Sequence, residues 1–190
     1  MLLERGAVGV RVKDVAERAG LSASLVLYYY PDLDDLLFDV AREAIDRYAE
    51  RRAEAVRRLA EPAERLRLAI RLGVPTGTED EDSRILYELD AFTGVSPGFA
   101  ALTVSFFDRQ VALYESVLEA GAAAGSFQLD GPAIAIARGI VALEDGLDLQ
   151  VVVGHAAVDR AEAEAILLRY ASAATGLDLS RTPVGQSSAA

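Results

Sequence analysis

The chain has no cysteine and no tryptophan, and it has one histidine and one methionine in 190 residues. Without cysteine there is no disulfide, no thiolate zinc ligand and no thiol nucleophile. The one histidine, His155, follows a glycine in a connecting segment, and no serine nucleophile is in evident register with it. The usual catalytic and metal-binding arrangements are therefore missing. We predict that the protein is not an enzyme and that it holds no metal or cofactor.

Long apolar runs are also absent from the sequence. No run approaches the roughly 20 residues that a membrane-spanning helix needs, and residues 1–6 lack the apolar core of a signal peptide. We expect a cytoplasmic protein without a membrane partner. The net charge of -11 argues against general coating of nucleic acid, because non-specific affinity comes from neutralising phosphates. A local DNA-reading surface is still compatible with this charge.

Alanine, leucine, glutamate and arginine dominate the chain, and no segment shows the period-two alternation of a strand. We therefore predict an all-α fold. Apolar residues at helical spacing, together with glycine, proline and capping residues, mark the longer elements. The predicted long helices are 33–59, 62–72, 83–93, 99–124, 133–153 and 159–174.

Residues 12–30, VKDVAERAGLSASLVLYYY, predict two short helices joined by a tight turn. Gly20 suits the left-handed geometry that ends a helix, and Ser22 is a good N-cap for the next one. Pro31 stops the second helix, and Asp32 precedes a much longer helix with aspartates in its first turn. This is the layout of a helix-turn-helix.

The stretch VKDVAERAGLSASLVLYYYPDLDDLL resembles the TetR family of transcriptional regulators, and residues 137–171 resemble the last two helices of that family. The resemblance implies an N-terminal helix-turn-helix head that a long helix joins to a helical ligand-binding and dimerisation bundle. The expected division is a head at 1–46, a bundle at 47–176 and a polar tail at 177–190. We expect the tail to fray.

The same resemblance implies a regulator of transcription, with repression released by a small-molecule effector. Its implied partners are double-stranded operator DNA, the effector, and a second copy of the chain bound through residues 132–175. Tyr28 and Tyr30 are expected to pack inside the motif. The residues implied to face DNA are Arg11, Lys13, Ser22, Ser24, Leu27 and Tyr29.

An effector would lie in the bundle, among residues that core packing alone could also explain. Glu144 and Asp145 fall within the most apolar helix, where an unpaired carboxylate is costly. Either the dimer interface or an arginine such as Arg138 satisfies them, or one of them selects a cationic or hydrogen-bonding effector. The predicted effector contacts are Tyr87, Phe92, Phe106, Phe107, Tyr114 and Asp145.

Three features depart from the family pattern. Only MLLERGAVG precedes the motif, so the first helix of the head is expected to be truncated. Leu33 stands where the family has a phosphate-binding lysine, and aspartates surround it. The second motif helix has neither lysine nor arginine. The short segment before the motif and the aspartates near Leu33 favour an alternative function, a helical ligand-binding and dimerisation protein whose degenerate head no longer binds DNA.

Overall fold

A computed structural model describes residues 9–90, 94 and 96–180 of the protein. The regular structure in these residues is α-helical, which confirms the predicted fold class. The segment before the motif, residues 1–8, lies outside the described residues, as do Phe92 and residues 181–190. The helices are α1 (Val12–Ala19), α2 (Ala23–Tyr29), α3 (Leu33–Arg57), α4 (Pro62–Gly73), α5 (Glu81–Asp90), α6 (Pro97–Ala123), α7 (Ala133–Val152) and α8 (Arg160–Thr175).

The predicted local signals set several helix ends. Gly20 has φ 67° and ψ 27°, and its N–H bonds to carbonyls of the last turn of α1. Pro62 is the first residue of α4, where its missing N–H costs nothing. Asp159 accepts a hydrogen bond from the N–H of Glu162 at 2.9 Å and so caps α8.

The helices form two compact units, one of residues 1–51 and 78–108 and the other of residues 52–77 and 109–190. The first unit has a small core around Leu37, Ala41 and Phe99. The Phe38 and Phe99 rings meet edge to face at 5.5 Å between centroids. The predicted functional division at residue 46 stays a prediction, because compactness does not measure function.

The core of the second unit contains side chains that are almost completely buried. They come from α4, α6, α7 and α8 and are Leu66, Ile70, Leu118, Ile140 and Leu167. Burying each of them contributes roughly 1.5–3 kcal/mol relative to exposure. This core holds the inner face of α7 in place, and that face carries Glu144.

The start of the tail is not frayed, contrary to our expectation. Leu179 is 1% exposed. Its N–H donates to Ser172 Oγ at 2.9 Å, and its carbonyl accepts from Arg67 Nε at 2.8 Å. The prediction was wrong here because one apolar residue in a polar segment finds both a core site and partners for its backbone.

Candidate DNA interface and effector site

The helix-turn-helix consists of α1 and α2 with a three-residue turn between them. Ser22 Oγ accepts a hydrogen bond from the N–H of Leu25 at 3.2 Å, which satisfies a donor in the first turn of α2. Ala16 of α1 and Val26 of α2 are the buried residues of the two helices. Because Val26 is buried, the opposite side of α2 lies in solvent.

That exposed side of α2 is apolar. Residues advance by about 100° along a helix. Ser24 and Tyr28 therefore lie nearly opposite Val26, with Leu25 beside them, whereas Tyr29 lies about 60° from Val26 around the helix. All four are exposed, as is Leu21 in the turn before α2. The rings of Tyr28 and Tyr29 meet edge to face at 5.2 Å between centroids. The exposed surface of α2 therefore carries two hydroxyl-bearing rings, one leucine and one serine on or beside its outer side.

The prediction that Tyr28 packs inside the motif is wrong, since Tyr28 is 77% exposed and Tyr29 is 70% exposed. Three consecutive aromatic residues point in different directions, and only Tyr30 is half-buried. The core position of this helix belongs to Val26, which is 6% exposed. Tyr28 is therefore exposed on α2 in the same way as Tyr29, which was predicted to face DNA.

The other predicted DNA contacts are also exposed in the structure. Arg11 occupies the N-cap position of α1, and Lys13 lies in the first turn of that helix. Leu27 is exposed on a different side of α2 from Leu25. These placements give the predicted residues access to a ligand.

The charge beside this surface is negative. Between Arg18 and Arg42 the sequence contains no lysine or arginine, and it contains four aspartates. Three of these, Asp32, Asp34 and Asp35, are exposed around the first turn of α3. Phosphates would be repelled there, so the cations available to attract DNA near α2 are those of α1.

A polar cluster is buried in the second unit, and Arg52 of α3 is at its centre. Arg52 is 3% exposed and Glu144 of α7 is 1% exposed. The Nη2 atom of Arg52 lies 2.8 Å from Glu144 Oε1 and donates to Glu144 Oε2 at 3.1 Å. The charge of each side chain is therefore compensated within the core, as a buried ion pair requires.

Neutral groups complete the cluster. Arg52 donates through Nε and Nη2 to the carbonyl of Ala69, at 3.1 and 2.8 Å, and through Nη1 to Gln110 Oε1. The Tyr114 hydroxyl accepts from Arg52 Nη2 at 2.6 Å and donates to Glu144 Oε2 at 2.8 Å. The guanidinium carbon also lies 5.1 Å from the centroid of the Tyr114 ring.

The Glu144 carboxylate is only partly satisfied. Its Oε1 atom is close to Arg52 but no donor is aligned with it in the part of the chain that the structure describes. This oxygen packs against Gly73, where a Cβ would overlap both Glu144 Oε1 and Arg52 Nη2. Chemically, the cluster is neutral overall and has one carboxylate oxygen that could accept a hydrogen bond from an ammonium or hydroxyl group.

The arginine partner that the sequence suggested for the carboxylates was the wrong one for Glu144. Arg138 is exposed, and the partner of Glu144 is instead Arg52, which lies 92 positions before Glu144 in the chain. A signal for Arg52 was present, because it falls on the apolar stripe of α3 with Ile45, Ala49 and Val56. An arginine on a buried stripe indicates a carboxylate partner elsewhere in the core.

The predicted effector contacts are divided between the units. Tyr87, Phe106 and Phe107 are half-buried in the first unit. Tyr114 and Asp145 are in the second unit, where Tyr114 is fully buried in the polar cluster and Asp145 is exposed. The effector role predicted for Tyr114 stays a prediction, and the sequence analysis did not single out its neighbours Arg52, Gln110 and Gly73.

The described residues also bear on metal binding and membrane crossing. No group of three or more histidine or acidic side chains among them could hold a metal ion. Within the same residues, no helix combines the length and apolar character that a membrane crossing needs.

A protein-family comparison identifies residues 62–176. They match the family described as BetI-type transcriptional repressor, C-terminal. This match covers more than half of the chain, from the first residue of α4 to the glycine that ends α8. No curated protein sequence is significantly similar to the chain.

Solved structures share the fold over nearly the whole chain. A transcriptional regulator from Saccharomonospora viridis in complex with choline is 24% identical, with 89% of this chain and 88% of that chain covered and a TM-score of 0.81. A TetR transcription regulator from Haloarcula marismortui is 24% identical, with 92% of each covered and a TM-score of 0.80. AibR, in complex with isovaleryl coenzyme A and operator DNA, is 16% identical, with 87% and 89% covered and a TM-score of 0.64.

Proposed function

The chain belongs to the TetR family of transcriptional regulators, and from that premise we propose that it binds operator DNA through α1 and α2 and releases it when a small molecule binds. The exposed face of α2 carries this proposal. Ser24, Leu25 and Tyr28 face solvent on one side of the second motif helix, which is the arrangement expected of a helix that enters the major groove. Relatives of the same fold have been solved with operator DNA and with small molecules.

DNA binding is tested with the full chain and a pool of random-sequence duplexes. We expect repeated selection to enrich a duplex that binds saturably in fluorescence anisotropy and outcompetes a scrambled duplex. Lys13→Ala weakens this binding, because it removes an exposed cation from the first turn of α1. Arg58→Ala removes an exposed cation from the far end of α3 and is the matched control. If no duplex is enriched at low salt, the alternative function is favoured, in which the protein binds a ligand and its head does not bind DNA.

We also propose that two copies pair through residues 132–175. Ala135, Ala142, Gly146, Leu149 and Val153 follow one another at about two-turn and one-turn intervals along one side of the α7 region, and all are exposed. Small and apolar residues in such a stripe allow close approach of a second helix. Two-fold pairing would present two heads to two half-sites about one helical turn apart, or a multiple of it.

The pairing is tested by charge insertion into the stripe. Leu149→Arg and Val153→Arg are expected to convert a dimer into a monomer in sedimentation equilibrium, because an unpaired charge is costly in an apolar interface. Val104→Arg places the same charge at an exposed valine of α6 and is expected to remain dimeric. A dimer that survives both stripe variants would mean that another surface pairs the chains.

For the effector, we propose contact with Tyr114 and Glu144. The support is chemical, since the Glu144 carboxylate has one oxygen without an aligned hydrogen-bond donor. This oxygen is buried against Gly73, so an ammonium or hydroxyl group reaches it only when the neighbouring groups shift. Asp145, in the same unit, is a further proposed polar contact. Tyr87, Phe106 and Phe107 belong to the first unit, and their contact with an effector stays a separate proposal from the sequence. A molecule with one hydrogen-bond donor group fits the site at Tyr114 and Glu144.

Choline and isovaleryl coenzyme A are suitable probes, because proteins of this fold have been solved with them. We expect choline to raise the Tm of the wild type by about 5–10 °C at a hundred times its Kd, and to release the selected duplex. We expect Tyr114→Phe to abolish the rise in Tm. Tyr48→Phe removes a hydroxyl group from the other unit and should show the same rise in Tm as the wild type. A shift only with isovaleryl coenzyme A would assign an acyl effector, and a choline shift that persists in Tyr114→Phe would remove this residue from the site.

A further inference from the structure

The reading surface of α2 contains few of the side chains that recognise bases by hydrogen bonding. Guanine is usually read by arginine or lysine, adenine by asparagine or glutamine, and cytosine by glutamate or aspartate. Residues 23–29 have the sequence ASLVLYY and contain none of these six. The usual partner of an apolar side chain in the major groove is the C5-methyl group of thymine.

We propose that α2 recognises thymine methyl groups in the major groove, chiefly through Leu25 and Tyr28. Leu25 is 41% exposed and Tyr28 lies one turn further along the same side. Tyr29 supports the Tyr28 ring edge to face, at 5.2 Å between centroids, and limits its rotation. The proposal rests on the proposed DNA binding and names the chemical feature that selects the operator.

The charges around α2 support the same conclusion. With no cation between Arg18 and Arg42 and with Asp32, Asp34 and Asp35 at the start of α3, this side of the head gains little from phosphates. Ser22 is engaged as the cap of α2, and a serine such as Ser24 discriminates poorly between bases. Apolar contact is the largest remaining source of selectivity, since each methyl removed from water is worth a measurable change in affinity.

Uracil provides the test, because it pairs as thymine does and lacks only the C5-methyl group. The duplex selected by the full chain is synthesised with thymine and with uracil at every thymine position. We expect uracil to weaken wild-type binding about fourfold for each methyl contacted, and roughly fifteenfold when both half-sites of a dimer lose it. The measurement is fluorescence anisotropy at one salt concentration.

The variants assign the effect to α2. Leu25→Ala with Tyr28→Ala is expected to bind the two duplexes with equal affinity, whereas Val104→Ala, another exposed apolar residue, keeps the wild-type ratio. Circular dichroism confirms that each variant is folded. If the wild type binds both duplexes with equal affinity, the inference about thymine methyl groups is overturned, whereas the proposed DNA binding still stands.

Two other outcomes are also decisive. A uracil penalty that persists in the Leu25→Ala, Tyr28→Ala variant means that the methyls act through DNA shape, and it overturns direct reading. Failure to bind the thymine duplex at all overturns the proposed DNA binding itself, and the two failures are thereby told apart.

Discussion

The hydroxyl of Tyr30 donates a hydrogen bond to Asp39 Oδ2 at 3.1 Å, across the proline that separates α2 from α3. Asp39 also accepts from Arg42 Nη2 at 3.1 Å, so its charge is partly balanced one turn later in α3. The bond therefore joins the C-cap of α2 to the helix that follows it. Of the three consecutive tyrosines, this one holds the motif in place.

This contact predicts a pH dependence. Its hydrogen bond to Asp39, with smaller effects of burial and of the Asp39 charge, raises the pKa of Tyr30 above the ordinary value of 10.0. A raised pKa means that the stabilisation is complete below pH 10.0 and is lost as the pH rises through the folded-state pKa. The free energy of unfolding of Tyr30→Phe is thus lower than that of the wild type at neutral pH, and the two converge in alkali.

Chemical denaturation of both proteins at several pH values measures this difference. Tyrosinate absorbance gives a second readout, because Tyr30→Phe removes a tyrosine whose raised pKa makes it titrate late in the wild type. Asp39→Asn removes the carboxylate and is expected to shift that titration earlier. A gap in stability that stays constant through the alkaline range would contradict the role given to the hydroxyl.

The buried ion pair predicts strongly non-additive variants. Arg52→Met leaves the Glu144 carboxylate charged in the core and is expected to destabilise the protein by about 3–5 kcal/mol. Adding Glu144→Leu removes that charge and recovers most of the loss. Urea unfolding of the two single variants and the double variant measures the interaction.

The exposed ion pair of Arg58 and Glu54 is the control for these variants of the buried pair. Arg58 lies 3.1 Å from Glu54 at the surface of α3, where solvent screens the interaction. Arg58→Met is expected to change the free energy of unfolding far less than Arg52→Met. Equal effects at the two positions would mean that burial does not set the energetics of Arg52.

Gly73 is predicted to tolerate no side chain. A Cβ at this position would overlap Glu144 Oε1 and Arg52 Nη2. Gly73→Ala is therefore expected to cost about 1–3 kcal/mol despite the better helix propensity of alanine. In Gly98→Ala the new methyl would lie 3.5 Å from the Phe38 ring, an ordinary contact, so this variant should be at least as stable as the wild type. Thermal unfolding of both variants distinguishes a clash from a general effect of removing glycine.

The salt dependence of DNA binding is predicted to be shallow and to involve Lys13. Each phosphate contact contributes about 0.9 to the slope of log K against log salt. Lys13→Ala is expected to reduce the magnitude of the slope by about that amount and to weaken specific and scrambled duplexes alike. Anisotropy titrations at four salt concentrations give the slope. A loss confined to the selected duplex would instead assign Lys13 to base reading.

Much of the fold could be predicted because its signals are local. Gly20, Pro62 and Asp159 mark helix ends through their own backbone and side-chain chemistry, and the structure uses each of them in that way. The orientation of Tyr28 could not be predicted from its neighbours, because three tyrosines in a row carry no local sign of which one is buried.

The buried cluster was harder to predict for a different reason. The Arg52 to Glu144 pair is 92 positions apart, and no short-range pattern links two such residues. Composition and helical spacing reveal that a carboxylate and an arginine each lie on an apolar face. Only the packing of the helices shows that they meet, and that Tyr114 lies between them.

The absent side chain at Gly73 also has an evolutionary consequence. Because Gly73, Arg52 and Glu144 occupy one small volume, a change at any one of them alters what the other two positions can accept. Descendants of this sequence that acquire a larger residue at 73 must shorten or neutralise position 144 in the same lineage, or lose the arginine. We therefore expect the three positions to vary together among related sequences, and their joint variation would show where a lineage replaced this ion pair with an apolar core.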